Sequence, residues 1–217
     1  MAKRWQSGRA PAYDVRVKKL IVAVLAVIAC GLAHAEESKP QAILLVAKEG
    51  MPDPFFRESV VLVTNASEAP LGVIINKPMD VKLSKAIPDF PRLRSSEERL
   101  FFGGPVEVTD LVFVFRAAKP PDEETMQVMP NIFISDDRDV LDTLLARDKP
   151  VEGLRLFAGH AGWAPGQLEK EIARGDWDLA PVDVATIFSR KPEALWKDLH
   201  QRVSGTKVRY DGERPVF

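Results

Sequence analysis

Cysteine, histidine and a surplus of basic residues are all scarce in this sequence. The single cysteine among 217 residues excludes a disulfide framework and any zinc site built on cysteines. Only three histidines are present, and no two of them have the spacing of a helical metal-binding pair. Lysine and arginine number 30 against 31 acidic residues, so there is no basic excess with which to hold nucleic acid.

Apolar residues, in contrast, are plentiful. They make up 46% of the chain, which is enough to build a hydrophobic core in a protein of this length. The sequence contains no internal repeat, no low-complexity tract and no linker long enough to separate two domains. We therefore predict one domain over residues 41–205, preceded by a short lead at 36–40 and followed by a tail at 206–217.

The first 35 residues show the order of parts that a secretory signal requires. Lys18 and Lys19 precede an uncharged apolar run at 20–29, too short to span a bilayer as a helix of roughly 20 residues. Ala33-His34-Ala35 then has the A-x-A form of a signal-peptidase site. We predict that residues 1–35 are a signal peptide, that the mature chain is periplasmic, and that it keeps no transmembrane helix.

The same segment allows two other locations. The small and aliphatic residues at 27–29 fit the loose pattern before a lipid-modified cysteine, which would make the protein a lipoprotein anchored at Cys30. A start at Val15 would give a more ordinary basic region, so the start of the chain is itself open. A misassigned start would leave the protein cytoplasmic.

Removal of residues 1–35 makes the protein acidic. That segment carries six basic residues and one acidic residue, which leaves 24 basic against 30 acidic residues and a net charge of −6. Phosphate backbones would be repelled on average. Nucleic acid is therefore disfavoured as a partner by charge and, if the chain is exported, by compartment.

Short β-branched apolar runs bounded by Gly, Pro and Asn predict buried strands. The runs lie at 42–47, 60–64, 71–76, 111–115, 131–134 and 154–158. The second and third are expected to pair as a hairpin, because only a short turn signal separates them.

Helical signals lie mainly in the C-terminal half. Ser135 is the expected cap of a helix with one apolar face, formed by Val140, Leu141, Leu144 and Leu145. A second helix is expected at 166–174, with Gly175 as its C-cap. Pro181 and Pro192 occupy positions typical of a first helical residue. This order predicts an α/β (α+β) fold: a single compact domain with a mixed, largely antiparallel sheet flanked by helices.

A glycine-rich segment at 159–169 is the first candidate site. Its glycines are expected to join a strand to a helix, where backbone N–H groups at the helix start face an anion. The alternative is a tight turn whose glycines take positive φ and whose tryptophan covers the sheet edge. The candidate residues are His160, Gly162, Trp163, Gly166, Gln167 and Glu169.

Two shorter segments are further candidates. Gly103 and Gly104 follow an aromatic strand, a pattern that usually marks a bend or a close approach of two backbones. Asn76 and Lys77 end a strand with an amide and an ammonium group that could hold a carboxylate or a phosphate. The alternative for this pair is an ordinary strand exit, in which Pro78 stops the ladder.

Catalytic patterns are absent from the sequence. There is no Gly-x-Ser-x-Gly elbow, and beyond residue 35 only His160 and His200 remain, far apart along the chain. We therefore predict no catalytic residues, no metal and no cofactor.

Four ordered segments resemble a known family. They are Asp53-Pro54-Phe55-Phe56-Arg57-Glu58-Ser59-Val60, Leu71-Gly72-Val73-Ile74-Ile75-Asn76-Lys77-Pro78, Gly103-Gly104-Pro105, and Gly159-His160-Ala161-Gly162-Trp163-Ala164-Pro165-Gly166-Gln167-Leu168-Glu169. In this order they resemble the YqgE/AlgH family of uncharacterised bacterial proteins, over about residues 41–205. The resemblance implies a compact α/β fold and carries a regulator label that came from control of exopolysaccharide genes.

The sequence departs from that family in two ways. His160 stands where the family usually has Tyr, which leaves the role of this ring open. Members of the family are ordinarily cytoplasmic, whereas this chain begins with an apparent export signal.

Three functions follow as hypotheses. The leading one is a noncatalytic binding or interaction protein, whose partner is an unknown protein or a small anionic ligand. The family label suggests instead a cytoplasmic transcriptional regulator. The third is an enzyme acting on a small anionic substrate held by Asn76, Lys77 and the glycine-rich segment.

Overall fold

A computed structural model describes residues 42–64 and 70–204 of the chain. The predicted signal peptide, the lead at 36–40, Cys30 and the tail at 206–217 lie outside the described residues. Within the described ranges the strands are β1 (Ala42–Ala47), β2 (Val60–Thr64), β3 (Leu71–Ile74), β4 (Pro78–Lys82), β5 (Arg99–Phe102), β6 (Val106–Arg116), β7 (Met126–Met129), β8 (Ile132–Ser135), β9 (Leu154–Gly162) and β10 (Trp177–Ala180).

Helices connect and cover these strands. They are α1 (Leu83–Ala86), α2 (Arg138–Leu145), α3 (Gln167–Arg174), α4 (Val184–Ile187) and α5 (Leu195–Ser204), with short 3-10 helices at Pro91–Leu93 and Pro192–Ala194. Asp137, rather than Ser135, caps α2, because its carboxylate accepts hydrogen bonds from the backbone N–H groups of Asp139 and Val140. Gly175 ends α3 in the left-handed conformation, as expected.

One mixed sheet runs in the order β10-β1-β2-β3-β9-β6-β8-β7, and β5 also pairs with β9. Every pair is antiparallel except β5 with β9. The predicted hairpin of β2 and β3 is confirmed, since Thr64 lies opposite Leu71. The predicted fold class, a largely antiparallel mixed sheet with helices, is also confirmed.

The sheet curls, so strands from its two ends share one core. Leu44 of β1 and Leu62 of β2 belong to the same buried cluster as Ile134 of β8 and Phe157 of β9. On the other face of the sheet, its two ends are covered by separate groups of side chains. The predicted apolar face of α2 covers β6, β8 and β9, while Leu168 of α3 and two tryptophans cover β1, β2 and β3.

Three strands were not predicted, each for a visible reason. Strand β4 alternates polar and apolar residues, is only partly buried and begins at Pro78. Proline can begin a strand, where its missing N–H costs no ladder bond, so Pro78 starts this strand and does not stop one. Strands β7 and β10 have four residues each, with little β-branched content. Pro181 precedes the N-cap of α4, Asp183, and does not occupy a first helical position.

The chain crosses over β9 between β5 and β6. Phe157 and Ala158 of β9 pair with β5 on one edge and with β6 on the other. The connection from β5 to β6 is only three residues long, 103–105, so it must pass over the face of β9. We call this segment, together with the part of β9 beneath it, the crossover.

Glycine is required where the two backbones touch at the crossover. A Cβ on Gly103 would lie 2.1 Å from the carbonyl oxygen of Gly159, and a Cβ on Gly104 would lie 2.2 Å from that of His160. Gly159 itself has φ of 65°, and a Cβ there would lie 2.6 Å from the carbonyl oxygen of Val106. The close backbone approach predicted for Gly103 and Gly104 is therefore confirmed.

Substitution at the crossover should be costly. We expect Gly103→Ala to lower the free energy of unfolding by about 3 kcal/mol, because the added methyl group meets backbone that cannot turn away. Gly162→Ala is the matched control: Gly162 lacks positive φ, and its nearest atoms, on the His160 ring, are 3.9 Å away. Urea unfolding should show a change within about 0.5 kcal/mol for this control. Equal losses in both variants would contradict this account.

Candidate functional site

Asn76 fastens the loop between β1 and β2 to the sheet. Its side chain is 5% exposed, and its Oδ1 accepts a hydrogen bond of 2.7 Å from the backbone N–H of Val60. Its Nδ2 donates at 2.9 Å to the carbonyl oxygen of Glu58, a residue with φ of 53°. Both polar ends of Asn76 thus bind backbone groups of the chain, so this buried amide has a structural role in holding the loop.

Lys77 holds the same loop at a second point. Its Nζ donates a hydrogen bond of 2.8 Å to the carbonyl oxygen of Phe55. Burial lowers the pKa of Lys77 below its ordinary value, and attraction to the carboxylates of Glu58 and Asp53 opposes this shift. The two candidate residues therefore join the segments 53–60 and 71–78, through bonded pairs that lie 16 to 22 positions apart in sequence.

The loop held in this way carries two phenylalanines with opposite surroundings. Phe56 packs against Trp163 and Trp177, with ring centroids 6.3 Å and 5.6 Å away. Phe55 is 49% exposed and stacks on Phe102, the last residue before the crossover, at 5.9 Å. One aromatic ring thus anchors the loop, while the other lies at the surface.

Glu171 organises the tryptophan side of the site. Its Oε2 accepts hydrogen bonds of 3.0 Å from the indole Nε1 of both Trp163 and Trp177. Its Oε1 accepts a bond of 2.9 Å from Nε2 of Gln167, whose own Oε1 accepts from the backbone N–H of Ala164. Trp163 is 5% exposed, so it belongs to the core beneath the loop rather than to a free surface.

Little in the sequence indicates this role for Glu171. Its spacing of four residues from Gln167 predicts contact on one helix face. The two indoles that contact Glu171, however, come from the segment after β9 and from β10. No spacing in the sequence predicts that these two elements contact the same helix. Glu169, the acid predicted instead, is exposed on the first turn of α3.

A cavity of about 470 Å³ lies between the segment 48–56 and α3. Of the predicted residues, it brings together Gly162, Trp163 and Gln167. Two cations and four carboxylates line it: Lys48, Arg174, Glu49, Asp53, Glu171 and Asp176. Because this lining is net negative, it disfavours the anionic ligand that the sequence suggested.

His160 and the glycines of its segment are placed differently from the predicted turn. Residues Gly159–Gly162 continue β9, and the turn follows at 165–166, directly before α3. Gly159 and Gly166 take positive φ, whereas Gly162 does not. The His160 side chain is 16% exposed and does not line the cavity; its Nδ1 lies 3.8 Å from Oε2 of Glu107.

No helix in residues 42–64 and 70–204 has the length and apolar character needed to cross a membrane. Within the same ranges, no three His, Cys, Asp or Glu side chains are grouped in a way that could hold a metal ion.

The double indole contact of Glu171 predicts a clear stability effect. We expect Glu171→Ala to lower the free energy of unfolding by about 2–3 kcal/mol, because two partly buried indole N–H groups lose their acceptor. Glu169→Ala, on the same helix but exposed, is the control and should change it by less than about 0.5 kcal/mol. Urea unfolding followed by tryptophan fluorescence measures both. Similar values for the two variants would argue against a structural role for Glu171.

The chain is similar in sequence to known bacterial proteins. A family model described as AlgH-like matches residues 44–208. A UPF0301 protein of Methylococcus capsulatus is 34% identical over 169 residues, which cover 76% of this chain and 90% of that protein. A UPF0301 protein of Pelodictyon phaeoclathratiforme is 36% identical over 156 residues, covering 70% and 81%.

Solved structures show the same fold. The crystal structure of protein DIP2367 from Corynebacterium diphtheriae matches with a TM-score of 0.59 and 31% identity, over 77% of this chain and 88% of that one. The solution structure of the AlgH protein from Pseudomonas aeruginosa matches with a TM-score of 0.64 and 23% identity, over 81% and 94%. The resemblance drawn from the four sequence segments is confirmed, and this chain belongs to the AlgH-like family.

Proposed function

We propose that this protein is a noncatalytic interaction protein, exported to the cell envelope, that binds a basic and apolar segment of a partner protein at the crossover. One observation carries the proposal. Among the described residues three large apolar side chains are exposed, Phe55, Val106 and Val108, and all three adjoin the crossover. Scattered exposed apolar residues need no explanation, but their gathering at one place is typical of an interaction site.

The three side chains are tied to the crossover by separate contacts. Phe55 stacks on Phe102, which directly precedes it. Val106 follows it, and the Cα of Val108 lies 3.0 Å from the position that a Cβ on Gly159 would take. Residues 107–110 bulge out of the ladder between the pairs Val106–His160 and Leu111–Ala158. This bulge holds Val108, which is 51% exposed, away from the core.

Charge favours a basic partner over a second copy of this chain. Glu107 and Asp110 are exposed on the bulge, and Asp53 and Glu58 are exposed on the loop that carries Phe55. Lys48, Arg57 and Lys77 are the cations of that loop region; Lys48 is paired with Asp178, and Lys77 is already bonded to the Phe55 carbonyl oxygen. Two copies would bring like charges together, whereas lysines and arginines beside an apolar anchor would complement this surface.

The same geometry supports a binding role over an enzymatic one. An enzyme with an anionic substrate would need Asn76 and Lys77 directed at that substrate, but Asn76 is buried and both side chains donate to backbone carbonyl groups that hold the loop. The cavity beside Trp163 is lined by more carboxylates than cations. Binding of nucleic acid by a transcriptional regulator is disfavoured by the acidic surface in the same way.

Binding of defined peptides tests this proposal. We expect a labelled 12-residue peptide of alternating Leu and Lys to bind, a Ser and Lys peptide of equal charge to bind at least tenfold more weakly, and a Leu and Glu peptide not to bind. Fluorescence anisotropy at two salt concentrations provides the measurement. The double variant Phe55→Ser with Val108→Ser should bind the Leu and Lys peptide at least tenfold more weakly, because it lacks the apolar anchors.

Two controls accompany this experiment. The double variant Glu107→Lys with Asp110→Lys should bind the basic peptide more weakly and should bind the acidic peptide, since it reverses the charge of the bulge. Lys170→Ser, an exposed change on α3, should alter neither affinity. Equal binding of all three peptides, or no effect of the serine double variant, would overturn the proposal.

The location in the envelope is tested separately. We expect the intact mass and N-terminal sequence of protein recovered from fractionated cells to show a periplasmic chain beginning at Glu36, because the A-x-A site ends at Ala35. A lipid on Cys30 would move the site to the membrane surface. Residues before Leu20 retained on a cytoplasmic protein would refute export.

A further inference from the structure

A second and larger cavity, of about 850 Å³, has the opposite electrostatic character. It lies where β5 and β9 meet the segment after α4, and we call it the Arg155 cleft. Four cations line it, Arg99, Lys149, Arg155 and Arg190, against three carboxylates, Glu97, Glu98 and Glu152. In a chain whose residues after position 35 are net acidic, a positive cleft is a local exception.

Most of these charges are paired with one another or with near neighbours. Lys149 binds Glu152 at 2.9 Å, Arg99 binds Glu193 at 2.5 Å, and Glu97 binds Lys82 at 2.7 Å. The two opposite charges within each of these exposed pairs neutralise each other. Arg155 and Arg190 remain, and Glu98 is the one lining carboxylate left to oppose them among the described residues.

Arg155 is held in a fixed position inside the cleft. Its guanidinium lies over the ring of Phe101, with Cζ 4.4 Å from the ring centroid. Its Nη1 donates to the carbonyl oxygen of Ile187 at 2.6 Å and its Nη2 to that of Ser189 at 2.8 Å. No carboxylate of residues 42–64 or 70–204 comes within 4.0 Å of it.

This arrangement leaves a cation that is desolvated but not neutralised. Burial lowers the pKa of Arg155 to about 10, and attraction to Glu98 restores only part of that loss. A guanidinium has five N–H groups, and the two carbonyl bonds use two of them. The rest can bind the oxygens of an anion, for which the planar group is suited.

We propose that the Arg155 cleft binds a small organic anion, with a phosphate or carboxylate group on Arg155 and Arg190 and an apolar body against Phe188 and Val151. The cleft is within the range of about 300–1,000 Å³ typical of small-molecule sites. Its walls combine the fixed cation with apolar side chains, as such sites do. This site is separate from the peptide surface at the crossover, so either proposal can fail without the other.

A purely structural role for Arg155 is the competing account. In that case the side chain only ties the segment after α4 to β9 through its two carbonyl bonds. Arg190 distinguishes the two accounts, because it is exposed and has no hydrogen bond or ion pair to any described side chain. Removal of the Arg190 side chain should leave folding unchanged and should still lower the affinity for an anion.

Calorimetric titration of the whole protein at low salt provides the test. We expect phenyl phosphate and benzoate to bind, phenol not to bind, and inorganic phosphate to bind at least fivefold more weakly than phenyl phosphate. The stronger of the first two identifies a phosphate or a carboxylate site. In an NMR titration, the side-chain Nε–Hε signal of Arg155 should shift with the bound anions only.

Variants complete the design. Arg190→Gln should lower the affinity for phenyl phosphate at least threefold. Arg155→Lys should lower it at least tenfold, because an ammonium cannot reproduce the planar contact. Arg94→Gln, an exposed arginine that does not line the cleft, is the matched control and should change nothing. Failure of every anion to bind, equal binding of phenol, or equal effects of Arg190→Gln and Arg94→Gln would overturn the proposal.

Discussion

Direct contact between two stretches of backbone at the crossover is the constraint on which the rest of the structure depends. Strands β5 and β6 flank β9, yet three residues connect them, so the connection has no route except across the face of β9. Side chains would separate the two backbones by several ångströms. Glycine on both sides of the contact removes that obstacle, and the remaining strands are ordered around the junction.

Polar contacts extend this junction to the neighbouring loop. The backbone N–H of Ile74 donates to the carbonyl oxygen of Gly103, so β3 is attached directly to the crossover. Asn76 and Lys77, which follow β3, then hold the loop that carries Phe55. Asn76 and Lys77, which the sequence suggests as anion-binding residues, therefore form internal contacts. These contacts hold the loop that contributes Phe55 to an apolar and acidic surface.

The parts of this fold that the sequence predicted are those that depend on local pattern. The β-branched runs of β1 and β2, the apolar face of α2 and the C-cap at Gly175 are encoded within a few residues. The close approach at Gly103 was predicted because paired glycines after a strand have few other uses. The role of Glu171 and the isolated charge of Arg155 depend on which elements meet in space, so no local pattern revealed them.

The position of β9 in the chain gives the crossover a consequence for biosynthesis. β9 is the shared neighbour of β3, β5 and β6, but it is made after all three. Until residue 162 is available these strands lack their common partner, and each presents unpaired backbone groups along one edge. Such edges pair readily with other chains, so a polypeptide that stops before β9 is a source of aggregates rather than a smaller version of the protein.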